Sequence, residues 1–323
     1  MCIMKAVVIY EPGGLEKLQV TEVPKPDVKP GWSLVRVAGF GINHSEIFTR
    51  KGLSPSVAFP RILGIECVGT IEKTTDEKLL PVGKKVVSIM GEMGRAFDGG
   101  YAEYALLPNE QIYPIDSSLP WDMLAAIPET GYTAFGSLKN LRITDADRVL
   151  VRGATSGVGV FFVRLLKAAW PDVYVAGTSR SLSKEDQLLE AGFDEVILDL
   201  EGVLQTEKKF TKVLELIGPA TMKDTCRHIV EGGTVCSTRQ LGGQWYLQEF
   251  DPIMDLPANG YMTSFYSGNV DSKKLQELFD FLEEYKVHIT PEKVFCIDEI
   301  VSAHQYLEES HSFGKVVVLT DAL

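Results

Sequence analysis

Arg148-Val149-Leu150-Val151-Arg152-Gly153-Ala154-Thr155-Ser156-Gly157-Val158-Gly159 reads as a short apolar strand running into a glycine-rich turn. Val160, Phe161, Val163, Leu165, Leu166 and Ala169 then supply the apolar members of a helical run. A strand, a glycine turn and a helix in this order leave bare backbone N–H groups at a helix N-terminus, where the helix dipole favours an anion. Glycines let the chain turn tightly and let a ligand approach the backbone closely. A pyrophosphate suits such a cradle, so a dinucleotide is the first candidate ligand. A tight structural turn is the bland alternative.

The surrounding pattern supports the ligand. From Met123 onward helices and strands alternate, with strands expected over Arg148–Arg152, Val173–Thr178, Glu195–Leu198, Lys212–Leu216 and Gly233–Ser237. Helices are expected over Val158–Ala169 and over Lys184–Ala191, the second closed by Gly192 as a C-cap. Such alternation implies right-handed crossovers and a doubly wound parallel sheet, an α/β fold. Thr263–Tyr266 is a candidate sixth strand, Ser272–Lys286 and Asp298–Ser310 are candidate helices, and Lys315–Leu319 is a last strand. Residues 1 to about 120 differ, with short strand-like runs at Lys5–Tyr10, Ser33–Gly39, Cys67–Lys73 and Lys85–Met90 broken by Pro and Gly. They predict a small barrel-like β domain.

The chain has 323 residues, enough for two domains with separate cores. Its net charge of −12, without a basic run, argues against nucleic acid as a partner. No run approaches the roughly 18 apolar residues of a membrane span, and the first ten residues lack a signal-peptide pattern, so a cytoplasmic protein is expected. Cys2, Cys67, Cys226, Cys236 and Cys296 are scattered and form no C-x-x-C pair, which predicts reduced thiols and no disulfide framework or zinc knuckle. His44, His228, His288, His304 and His311 show no metal-ligand spacing.

Gly153, Gly157 and Gly159 fit G-x-x-x-G-x-G, the loop of short-chain dehydrogenases, as well as a G-x-G-x-x-G variant with Ala154 and Ser156 in place of glycines. The short-chain reading needs the loop near the N-terminus and a Tyr-x-x-x-Lys pair. About 150 residues precede the loop, and no tyrosine has a lysine four positions on. The short-chain reading fails. The second strand ends at Gly177-Thr178-Ser179-Arg180, with Lys184 shortly after and no acid at the strand end. NAD sites place an acid there for the ribose 2′-hydroxyl, whereas hydroxyl and basic groups suit a 2′-phosphate, so NADPH is expected over NADH. Arg180 can also be an ordinary exposed base, and Lys184 can simply pair with Glu185 or Asp186.

Further runs span nearly the whole chain: Gly41-Ile42-Asn43-His44-Ser45-Glu46, Phe59-Pro60-Arg61-Ile62-Leu63-Gly64-Ile65-Glu66-Cys67-Val68-Gly69, Asp98-Gly99-Gly100-Tyr101-Ala102-Glu103-Tyr104, Ile127-Pro128-Glu129-Thr130-Gly131-Tyr132-Thr133-Ala134 and Phe313-Gly314-Lys315-Val316-Val317. With the glycine loop they resemble the medium-chain dehydrogenase/reductase superfamily. The resemblance implies a GroES-like β-barrel catalytic domain over 1–121 and 264–323, a Rossmann domain over 122–263, substrate in the cleft between them, and a homodimer paired near Thr263–Tyr266. Zinc alcohol dehydrogenases of that superfamily carry Cys, His and Cys as catalytic ligands. This chain has Asn43, Ile65 and Glu129 in the matching runs, so no zinc site is expected. The chain is instead similar to the zinc-free quinone oxidoreductases, the zeta-crystallin-like branch.

That resemblance implies an NADPH-dependent hydride transfer to a quinone, which accepts hydride without a metal. Reduction of the C=C bond of an α,β-unsaturated ketone or aldehyde is the alternative, and a nucleotide-binding structural or regulatory protein with little turnover is a third reading. Asn43 is placed beside the nicotinamide or substrate, or else is a turn-stabilising amide. Glu66, near the metal in zinc relatives, becomes a hydrogen-bonded structural carboxylate, and His44 an exposed loop residue. Cofactor contacts are implied for Phe48, Thr130, Ser156, Gly157, Val158, Gly159, Ser179, Arg180, Lys184, Leu241, Gly242, Phe265 and Tyr266. Two departures stand out: Phe48 replaces a tyrosine, and Leu198-Asp199 replaces Asn-Tyr, which puts an acid where a 2′-phosphate is expected.

Overall fold

The computed structural model describes residues 2–309 and 313–321, which divide into two units. The second unit comprises 130–267 and 277–288. Its sheet runs Val203–Leu204, Glu195–Leu200, Tyr174–Ser179, Arg148–Arg152, Phe210–Glu215, Ile229–Ser237, Tyr261–Ser264. All neighbours are parallel except the short first strand, which pairs antiparallel with Glu195–Leu200. Counting from Arg148–Arg152, the order is 3-2-1-4-5-6, and the winding reverses beside the strand that feeds the glycine turn. Burial on both faces explains the unbroken apolar run Val149-Leu150-Val151, all three fully enclosed. Phe161, Phe162, Val163, Leu165 and Leu166 are the buried face of helix Gly157–Ala169. Each contributes about 1.5–3 kcal/mol through removal from water.

The first unit comprises 1–129, 268–276 and 289–323. A three-stranded sheet orders Gln19–Pro24, Ile3–Ile9 and Arg61–Ile62. A larger one orders Lys293–Cys296, Val316–Leu319, Trp32–Gly41, Glu66–Lys73, Lys85–Ile89 and Tyr113–Pro114, with Tyr104–Pro108 also on Trp32–Gly41. Val35, Val37, Phe40, Cys67, Ile71, Val86, Val316 and Val318 share its core with Met4, Ala6, Val7, Val8 and Ile9. This is the expected GroES-like barrel.

The division differs from the expected one at 121/122. Helix Trp121–Ala125 packs on Trp32–Gly41, where Ala125 Cβ lies 3.3 Å from the place a Cβ on Gly39 would take. Residues 277–288 fall in the second unit, where Phe281 meets Phe135 at 5.3 Å between ring centroids. Gly192 has φ 115°, as a left-handed cap requires. The sixth strand is Tyr261–Ser264, so Phe265 and Tyr266 lie past its end. Asp298–Ser310 resolves into a 3-10 turn, Ile297–Glu299, and helix Ile300–Glu308, with Ser310 outside the described residues. Among the described residues no helix is long and apolar enough to cross a membrane. Cys67, Cys226 and Cys236 are buried free thiols, and Cys2 and Cys296 are exposed ones.

Candidate functional site

Three hydrogen bonds with side-chain hydroxyls hold the glycine turn. Gly153, at φ 84°, donates its N–H to Thr178 Oγ1 at 3.0 Å, tying the turn to the second strand. Ser156 Oγ donates to Gly153 O at 2.8 Å and accepts the Gly159 N–H at 3.2 Å, which makes it the N-cap of helix Gly157–Ala169. The backbone ladder begins with Val160 N–H to Ser156 O at 2.9 Å. The Gly157 and Val158 amides therefore precede the ladder and point to where an anion can sit. A Cβ on Gly159 would lie 2.6 Å from Ala154 O, so the helix start rests directly on the turn. Leu241 Cδ1 is 3.8 Å from the place a Cβ on Gly153 would take, so the turn and the loop after the fifth strand meet. Leu241 and Gly242 donate their N–H groups to Leu216 O and Ile217 O at 3.1 and 2.9 Å.

At the second strand's end Ser179 is buried and Arg180 is exposed. Lys184 is half-buried at the start of helix Glu185–Ala191. Asp199 is turned inward: its carboxylate takes Arg152 Nε at 2.8 Å and Nη2 at 3.0 Å. Arg152 is fully buried and also reaches Asp224 at 2.9 Å. Sequence reasoning missed it. The available signal was a cation ending an otherwise apolar buried strand, with Asp199, Glu215 and Asp224 near the ends of neighbouring elements. Thr130 is buried on helix Pro128–Leu141. The Phe265 ring occupies the space beside Gly136 and meets Tyr132 at 5.5 Å, while its N–H reaches Ser237 O at 3.4 Å. Tyr266 is 72% exposed.

In the first unit Asn43, Ile65 and Glu129 converge through two buried glutamates. Asn43 Nδ2 donates to Glu66 Oε1 at 2.8 Å and approaches Glu46 Oε1 at 3.4 Å. Lys315 Nζ donates to Asn43 Oδ1 at 2.6 Å and to Glu66 Oε1 at 2.7 Å. The Glu129 N–H reaches Glu66 Oε2 at 2.8 Å, and the Ile65 N–H reaches Glu46 Oε1 at 3.1 Å. Asn43 thus spends its amide inside this network and is buried. Phe48 and His44 sit half-buried on helix His44–Arg50. Among the described residues no group of three or more His, Cys, Asp or Glu is placed to hold a metal ion.

Burial pushes the Glu46 carboxyl up to about 7, with the Glu66 carboxylate adding to it and the Ile65 N–H and Lys315 opposing it. Burial, with the Glu46 carboxylate adding to it, in turn holds the Tyr101 hydroxyl well above its ordinary value. An acid raised in the folded state gives stability that is complete below its unfolded value, 4.5, and is lost as pH rises through about 7. Glu46→Gln keeps the acceptor for Ile65 and removes that loss. The variant is expected to exceed the parent at pH 8 by up to about 3 kcal/mol and to lose the difference at pH 4.5. Urea unfolding at both pH values measures it; equal slopes against pH in parent and variant defeat the expectation.

Comparison with known proteins places both units. A family model described as "Alcohol dehydrogenase GroES-like domain" matches residues 29–117, and one described as "Zinc-binding dehydrogenase" matches 191–318. The mouse protein named quinone oxidoreductase is 28% identical over 72% of this chain and 72% of its own length. Acryloyl-coenzyme A reductase of Sulfurisphaera tokodaii is 25% identical over 98% of this chain and 99% of its own. The fold is that of the Bacillus subtilis protein yhfP, solved with NAD bound, at a TM-score of 0.82 and 20% identity over 99% of this chain and 100% of that one. With the two models together covering more than half of its length, the chain belongs to the medium-chain dehydrogenase/reductase superfamily, and proteins named quinone oxidoreductase are among its relatives.

Proposed function

We propose that the chain is an NADPH-dependent, zinc-independent oxidoreductase that reduces a quinone. The observation that carries the reading is the Lys315 ammonium bonded to both Asn43 and Glu66. The three positions matching a zinc ligand set offer an amide already engaged by that ammonium, a hydrocarbon and a carboxylate. This set does not fit a tetrahedral zinc ion, which takes thiolates, imidazoles and carboxylates. Without a Lewis acid an alcohol is not readily made an alkoxide near neutral pH. Quinones are electrophilic already.

The nicotinamide cofactor supplies the hydride, and the protein supplies binding, orientation and exclusion of water. Gly157 and Val158 offer amides to the pyrophosphate, with Ser156 and Gly159 fixing their direction. Ser179, Arg180 and Lys184 are assigned to the 2′-phosphate, and Leu241 and Gly242 to the loop over the nicotinamide ribose. The proton that completes reduction at the acceptor oxygen comes from solvent. The Bacillus subtilis neighbour was solved with NAD, so the choice of NADPH rests on the acid-free strand end of this chain. The Sulfurisphaera tokodaii relative favours a second reading, reduction of an activated C=C bond.

Purified protein with NADPH or NADH, assayed against ortho- and para-quinones, enones and alcohols with its metal content measured, separates these readings. Turnover of quinones without zinc is expected. Stoichiometric zinc with alcohol oxidation overturns the proposal, and tight NADPH binding without oxidation by any acceptor favours a non-enzymatic nucleotide-binding role. A Ser179→Ala/Arg180→Ala variant is expected to weaken NADPH about tenfold or more and NADH by less than about threefold. Equal losses for the two cofactors remove the phosphate-site assignment.

A further inference from the structure

The register of the second unit's sheet sets Leu198 opposite Ser179, so Asp199 stands beside the strand end that carries Ser179 and Arg180. An acid at that place holds a ribose 2′-hydroxyl and repels a 2′-phosphate. By sequence alone Asp199 therefore contradicts the Ser179–Arg180 pair. The structure resolves the conflict through Arg152. Both Asp199 oxygens accept from its guanidinium in a two-pronged pair, at 2.8 and 3.0 Å, and Asp199 is 8% exposed.

Arg152 cannot swing away. Its Nη1 also donates to Asp224 Oδ2 at 2.9 Å, Thr225 Oγ1 at 2.7 Å and Thr221 O at 3.2 Å, and its Nη2 to Gly202 O at 2.7 Å. Glu215, the third acid of the cluster, is held by its own donors, the N–H groups of Ile217 and Gly218 at 2.7 and 3.0 Å and the Thr225 hydroxyl. His228 lies 4.0 Å from Asp224. A planar fork with every edge occupied is a rigid holder for a carboxylate.

We infer that Arg152 is a specificity-determining positioning residue: it turns the Asp199 carboxylate inward and holds both its oxygens, leaving Ser179 and Arg180 to receive a 2′-phosphate. This rests on the NADPH reading, and the parent protein tests that reading separately. Arg152 follows directly into the turn residue Gly153, so one strand end both shapes the pyrophosphate cradle and disarms the acid beside the ribose.

Dissociation constants for NADPH and NADH, measured on the parent, Asp199→Asn, Arg152→Gln and the double variant, decide it. In the parent, NADH binding as tight as NADPH overturns the phosphate-site reading alone. Asp199→Asn is expected to leave the ratio of the two constants within about twofold, because the carboxylate it replaces is held against Arg152 and not toward the ribose. A gain in NADPH affinity of about tenfold, or a selective loss of NADH, means that Asp199 reaches the ribose in the parent and overturns the inference. Arg152→Gln is expected to weaken NADPH about tenfold or more and NADH by less than about threefold, with Asp199→Asn restoring the ratio in the double variant. Equal losses without restoration mark Arg152 as structural only. If Arg152→Gln does not fold, as circular dichroism reports, the Asp199→Asn ratio alone decides.

Discussion

Lys315→Met is expected to cost about 3–5 kcal/mol of folding stability, the effect of leaving a buried charge without its partner. The ammonium is 2.7 Å from Glu66 Oε1 and 2.6 Å from Asn43 Oδ1, and the Glu66 side chain has no solvent exposure. Methionine fills the path of the lysine stem but offers no donor. Glu66 would keep the Asn43 amide and the Glu129 N–H, yet face the buried Glu46 carboxyl with no cation between them. The barrel is shaped around this pair: a Cβ on Gly41 would come within 2.2 Å of Lys315 Cε and 2.4 Å of Glu66 Oε1. Removing both charges together is cheaper, because no buried charge is left unpaired, although the single oxygen of Gln at 66 accepts from either Asn43 or the Glu129 N–H and not from both. Lys315→Met/Glu66→Gln is therefore expected to regain part of the loss, the remainder being the one buried donor left without an acceptor. Urea unfolding at pH 7 measures both; a single variant within about 1 kcal/mol of the parent means that the pair is solvated and that Lys315 is not the fixed cation of this site.

The nucleotide unit was legible because its signals are local. The strand Arg148–Arg152, the turn and the helix follow one another, and the apolar period changes where the structure changes. Helix Pro128–Leu141 was not among the expected helices; Gly131 and Gly136 lie inside it, and the Phe265 ring fills the space of the missing Gly136 side chain. The edge strand was misplaced by two residues because Tyr261 and Met262 are both exposed, so no alternation marks its start. At the sites the same divide holds. Glu66 was expected to be hydrogen-bonded, since burial demands partners, and it accepts from Asn43 and the Glu129 N–H. Its cation, Lys315, lies 249 positions away, and Arg152 and Asp199 are 47 apart. No spacing rule reaches such pairs; only the strand register brings them together.

Gly159→Val is expected to abolish dinucleotide binding, with NADPH and NADH losing affinity together by about 100-fold or more. The first carbon of any side chain at 159 would lie 2.6 Å from Ala154 O, 2.8 Å from its Cα and 2.9 Å from its carbonyl carbon. All three are backbone atoms of the turn, so no rotamer relieves the contact. The helix start must lift, which breaks the Ser156 cap at the Gly159 N–H and carries the Gly157 and Val158 amides out of line. Overpacking of this kind costs about 1–3 kcal/mol of stability, small beside the expected binding loss. Titration with each cofactor, alongside unfolding of the free protein, separates the two effects. The pattern is diagnostic beside the Ser179/Arg180 variant: a pyrophosphate cradle serves both cofactors, so its loss cannot discriminate, whereas loss of a 2′-phosphate site must. A Gly159→Val protein that still binds either cofactor within about threefold of the parent shows that the pyrophosphate does not sit on this helix.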